Sequence, residues 1–120
     1  MYPKNCYNYL IMAKQILENI LNEIPYRVLS EYRFCSTRKF RFDYFVLFSN
    51  NKGVAIEYEG GVFTQGRHTR PIGFINDCYK YNLACSLGVP VLRYTVKHLE
   101  DPQKVKNEIL QAIKIFDIGK

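Results

Sequence analysis

The chain has no tryptophan, no CxxC pair and no repeated or low-complexity segment. Its four cysteines, Cys6, Cys35, Cys78 and Cys85, lack metal-ligand spacing. A zinc motif is thereby excluded, and buried, reduced thiols are the expectation. No apolar run approaches the length that spans a bilayer. Met1-Tyr2-Pro3-Lys4 has no secretory character, so the reading places the protein in the cytoplasm. An apolar fraction of 48% excludes disorder, and 120 residues suffice for one domain with a real core. What is present leans towards polyanions. The net charge is +6, and ten Tyr and eight Phe supply rings for packing or for stacking on bases.

Apolar spacing sets out the elements in order. Residues Asn5 to Ile24 predict an amphipathic helix with Leu10, Ala13, Leu17, Ile20, Leu21 and Ile24 on one stripe, ended by Pro25. Tyr26 to Phe34 predicts a strand. Phe40 to Val46 and Val54 to Gly61 predict two more, joined by the turn cluster Ser49-Asn50-Asn51-Lys52-Gly53. From Gly73 to Leu87, Phe74, Cys78, Tyr81 and Cys85 recur at helical spacing, and Gly88 marks the stop. Val89 to Tyr94 predicts a last strand with Pro90 tolerated near its start. Asp101-Pro102 predicts a capped helix (101–117) with Val105, Ile109, Ala112, Ile113 and Phe116 inward. The order α-β-β-β-α-β-α implies an α/β domain built on one mixed sheet, its last strand reached by a right-handed crossover.

The two central strands each carry an acid where strands normally carry none. With the turn centred on Asn50, facing residues sum to 100, which sets Asp43 across from Glu57 and Arg41 across from Glu59. Directly opposed residues have Cβ atoms roughly 4.5–5.5 Å apart. Two carboxylates that close repel unless one takes a proton or a cation joins them, and hard oxygen ligands suit Mg²⁺. Tyr44 with Ile56 and Val46 with Val54 fill the opposite face in the same register. The plainer alternative is edge charges paired with Arg41 and Lys39. Glu59 reads as a further ligand, a water-orienting base or the partner of Arg41. Arg67-His68-Thr69-Arg70, in a glycine-flanked loop, offers donors to phosphate oxygens. Lys80 either pairs with Asp77 one turn away or reaches the acids. Lys39, Arg41 and Arg93 extend a basic rim.

These residues carry a resemblance. Arg41-Phe-Asp43 followed by Ile56-Glu-Tyr-Glu-Gly-Gly61 resembles the acid-then-acid strands of the PD-(D/E)XK nucleases. With Glu31-Tyr-Arg-Phe34, Gly66-Arg-His-Thr-Arg70, Gly73-Phe, Asp77, Lys80-Tyr-Asn82, Gly88 and Val91-Leu-Arg-Tyr94, the string looks like a small phage and prophage branch near the VRR-NUC and Vsr-like nucleases. The resemblance spans about residues 30 to 95. It implies a restriction-endonuclease-like αβββαβ core and Mg²⁺-dependent hydrolysis of DNA phosphodiesters, with Mn²⁺ as a substitute. By position, Asp43, Glu57 and the Tyr58 carbonyl would be metal ligands. Position 59 departs from the family's lysine; Lys80 is the candidate replacement, and Glu18 stands where other members' first helix supplies an acid. Catalytic candidates are thus Asp43, Glu57, Glu59 and Lys80. Those for nucleic-acid contact are Lys39, Arg41, Arg67, His68, Arg70 and Arg93. A homodimer or a nickase both satisfy the small size. A non-cleaving nucleic-acid-binding module and a plain interaction domain are the alternatives.

Overall fold

Aromatic and β-branched residues at alternate positions build the centre of the molecule. The computed structural model describes residues 6–60 and 71–118. In chain order it contains α1 (Cys6–Glu23), β1 (Arg27–Arg33), β2 (Arg41–Leu47), β3 (Gly53–Tyr58), α2 (Pro71–Ser86), β4 (Val91–Tyr94), a single 3₁₀ turn at His98–Glu100 and α3 (Pro102–Phe116). The four strands form one mixed sheet in the order β1-β2-β3-β4. The first three are antiparallel neighbours, and β4 joins parallel to β3 after α2. Among the described residues no helix is long and apolar enough to cross a membrane.

The hairpin register is the one its apolar face demands. Tyr44 pairs with Ile56, Phe45 with Ala55, Val46 with Val54 and Leu47 with Gly53. Asn51 closes the turn with φ at +66°, a conformation that asparagine tolerates. Its N–H donates to the Phe48 carbonyl at 3.1 Å, and the Asn50 side chain accepts from the Lys52 N–H at 3.0 Å. Gly53 is there because nothing larger fits. A Cβ on it would meet the Val46 carbonyl oxygen at 2.1 Å and the Phe45 ring at 2.7 Å.

Each sheet face has its own core. Tyr44, Val46, Val54, Ile56 and Tyr94 pack against Leu17, Ile20 and Leu21 of α1 and Val105, Ile109 and Ile113 of α3. Fully burying each large aliphatic here contributes about 1.5–3 kcal/mol relative to exposure. Asp101 caps α3, accepting from the Lys104 N–H at 3.3 Å with Pro102 in the first turn. The other face holds Phe42, Phe45 and Ala55, covered by Ala84 of α2.

That second face corrects three expectations. Ala84 is the buried residue of α2, whereas Phe74, Cys78 and Cys85 are exposed and Tyr81 is half-buried. Of the expected stripe only Tyr81 meets the sheet, because α2 docks through the line of Asp77, Lys80, Tyr81 and Ala84. Buried thiols are accordingly wrong for Cys78 and Cys85, and Cys35 is only partly covered. Phe116 also lies outward, 47% exposed, in the last turn of α3. Pro71 stands at the start of α2, as its fixed φ allows.

Candidate active site

The site forms where the β2–β3 ladder gives out. Backbone pairing ends at Tyr44 and Ile56, and beyond it the acid side chains take over the work of the ladder. The Asp43 N–H donates to Glu57 Oε2 at 2.8 Å. The Tyr58 N–H donates to Asp43 Oδ2, also at 2.8 Å. Each carboxylate therefore reaches across to the opposite strand, which fixes both acids at one gap in the sheet. A strand residue directs its N–H and C=O to the same edge, so the Tyr58 carbonyl faces this gap as well.

Phe42, Phe45 and Ala55 face α2, and Glu57, Glu59 and Asp43 gather at Lys80 and Tyr81 of the same helix. Glu57 and Glu59 are each only 6% exposed. Buried acids need partners, and α2 and β4 supply them. The Lys80 ammonium bonds Glu57 Oε1. Arg93 Nε donates to Glu59 Oε1 at 2.8 Å, with its guanidinium 4.2 Å from the centre of the Tyr81 ring. The Tyr81 hydroxyl stands between the two acids, 3.0 Å from Glu57 Oε1 and 3.1 Å from Glu59 Oε1. Burial, then the charges of Glu57 and Glu59, raise the phenol's pKa, which keeps it a proton donor.

Asp43 carries the electrostatic signature. Burial and the facing Glu57 charge push its carboxyl up to about 6, against the lowering effect of the Tyr58 N–H. In register on its other side stands Glu31 of β1, between the pairs Ser30–Tyr44 and Tyr32–Phe42. Glu31 adopts a φ of +50°, costly for a residue with a Cβ and common beside functional sites.

Of the residues singled out from sequence, Asp43, Glu57, Tyr58, Glu59, Lys80 and Arg93 converge here. Lys80 reaches the acids. Glu59 is held by Arg93 and Tyr81, where Arg41 was the expected partner; β3 ends at Tyr58, and the Glu59 N–H turns to the Tyr94 carbonyl at 2.8 Å. Arg93 acts as a pin on Glu59, half-exposed beside the site. Lys39 and Arg41 are exposed at the end of β2 nearest Lys80. Glu18 lies on the other sheet face, where its carboxylate accepts from the Tyr44 hydroxyl at 2.6 Å. Arg67, His68 and Arg70 lie outside the described residues. Tyr81 was missed as a site residue: read as part of an apolar stripe, its hydroxyl went uncounted, although it directly follows Lys80.

No family model matches this chain. Nor does any curated protein or solved structure match it.

Can this donor set hold a cation? Among the described residues, no group of three or more His, Cys, Asp and Glu side chains is arranged as a metal site. Magnesium keeps several waters and needs only one or two carboxylates from the protein. Asp43 and Glu57, with the Tyr58 carbonyl, meet that requirement, and burial followed by the Glu57 charge raises the Asp43 pKa. The residues present fit a hard divalent cation.

Proposed function

We propose that this chain is a Mg²⁺-dependent nuclease that hydrolyses phosphodiester bonds in DNA, on a restriction-endonuclease-like core. One observation carries the reading: two acids from neighbouring strands face each other where the ladder opens, beneath a helix that presents a lysine. Asp43, Glu57 and the Tyr58 carbonyl would hold a divalent cation, whose chemistry when bound would be Lewis-acid charge for a phosphoryl oxygen and a lowered pKa for a water. The protein's own groups do the rest. Lys80, fixed on Glu57, places positive charge beside the acids, where a phosphate can share it as its own charge grows. Arg93 and Tyr81 immobilise Glu59, leaving it to shape the field behind Glu57. Arg67, His68 and Arg70 are assigned to the flanking phosphates on their sequence pattern alone.

The test is cleavage of supercoiled plasmid in Mg²⁺ or Mn²⁺ by wild type, Asp43→Asn and Glu57→Gln. Both variants keep a hydrogen-bond acceptor for the opposite strand's N–H, and circular dichroism checks that each folds. We expect nicking or linearisation that needs the cation and falls at least about a hundredfold in either variant. Equal activity in all three proteins would sink the reading. A second reading has its own support: the Lys80 ammonium already neutralises Glu57. A nucleic-acid-binding module that does not cut would show retained DNA affinity and no cleavage with either cation.

A further inference from the structure

A cleft adjoins the acids on the far side of Lys80. It is lined by Lys39, Phe40 and Arg41, where the chain enters β2, and by Asn76, Asp77 and Lys80 of α2, and measures about 400 Å³. Cavities of that size accept small organic ligands. Its lining is poorly satisfied from within the protein. Among the described residues Lys39 and Arg41 have no carboxylate partner, and the Asn76 amide has no hydrogen-bond partner. Asp77, the one acid of the lining, lies within electrostatic reach of Arg93. Phe40 contributes a partly exposed ring. Arg38 lies 4.6 Å from the ring centroid. The parallel Phe34 ring is displaced to 6.5 Å, against the 4.3 Å stack that Phe34 makes with Phe42. The Arg38 guanidinium covers this ring from an exposed side chain, so a planar ligand that takes its place gains an aromatic surface on which to lie.

We propose that this cleft takes one unstacked nucleotide next to the phosphodiester at Asp43 and Glu57. Its base lies against Phe40 with its edge at the Asn76 amide, and its phosphate is held by Lys39 and Arg41. The proposal deepens the nuclease reading, on which it rests for the position of the scissile phosphate. Three features single out an unpaired nucleotide over intact duplex. A ring offers stacking that a paired base already has within the duplex. A side-chain amide offers two donors and an acceptor to an open base edge. Lys80 both lines the cleft and bonds Glu57, so a phosphate at that lysine lies beside the acids. The substrate class is therefore DNA with a single-stranded or extrahelical nucleotide at the cut.

The test is a binding experiment in EDTA, which needs no cleavage. A duplex oligonucleotide with one unpaired 2-aminopurine and its fully paired counterpart are titrated with wild type, Phe40→Leu, Phe40→Ala and Asn76→Ala. Wild type should prefer the unpaired form by at least about fivefold, the value of one base–aromatic stack. Phe40→Ala and Asn76→Ala should each erode that preference while leaving paired-duplex affinity in place. Phe40→Leu, which keeps the packing on Phe34, should lose the preference too. Equal affinity of wild type for the two duplexes, or a preference that survives all three substitutions, overturns the proposal. If the preference appears while plasmid cleavage is absent, the cleft stands and the hydrolytic reading fails.

Discussion

Asp43 makes the pH dependence of this protein calculable in sign. Its carboxyl titrates near 6 in the folded chain, above the ordinary aspartate range. Between those values the folded state binds the proton that the unfolded chain has released, so stability falls as pH rises through this window and stays lower above it. In EDTA, the melting midpoint of wild type should therefore decline from about pH 4 to about pH 6 relative to that of Asp43→Asn. Parallel curves would contradict it. Above pH 6, added Mg²⁺ should raise the wild-type midpoint and leave Asp43→Asn unmoved, since only a ligand of the folded state stabilises it. Tyr81 gives a separate prediction. Tyr81→Phe removes the hydroxyl between Glu57 and Glu59, and positioning groups of this kind are worth 10- to 100-fold. Plasmid cleavage should slow by about tenfold or more, with the circular dichroism spectrum unchanged.

At the scale of elements, α2 stands apart. It brings Lys80 and Tyr81 to the site yet is anchored by Ala84 alone among buried residues. Hydrogen exchange should show the amides of α2 opening well before those of β3, which is buried almost throughout. Lysine at Ile75, 48% exposed, should change stability by no more than about 0.5 kcal/mol, whereas leucine at Ala84 should cost about 1–3 kcal/mol. Thermal melts of the two variants check this. The same helix marks the limit of what the sequence discloses. Helical period found α2, but period alone could not choose between two adjacent stripes. Phe74, Cys78, Tyr81 and Cys85 looked like the buried one, while the docked line shares Tyr81 with it and adds Lys80, and the polar ends of these two are satisfied by acids from another element. Strands were easier. In the hairpin, alternation and one turn residue set the register, and the facing of Asp43 and Glu57 followed. The replacement of Arg41 by Arg93 as the partner of Glu59 was hidden, because β3–β4 pairing is parallel and spans the whole of α2.

At the scale of the molecule, β2 and β3 join the two cores: Tyr44, Val46, Val54 and Ile56 face α1 and α3, and Phe42, Phe45 and Ala55 face α2. Asp43 rides on β2 and Glu57 on β3, so the gap between the acids cannot outlive the packing on the opposite face. Ile56→Ala should cost about 2–5 kcal/mol and lower the midpoint reported by a probe on either face by the same amount. Separate transitions for the two faces would refute this coupling. Gly53 has a wider consequence than its place in the turn suggests. No side chain fits against the Val46 carbonyl, so sliding β3 along β2 by one position would drive Lys52 or Val54 into that backbone. The hairpin carries a built-in stop. A residue with no side chain, at the far end of the hairpin from the acids, dictates which carboxylates meet, and any larger residue there would misalign the acids without touching them.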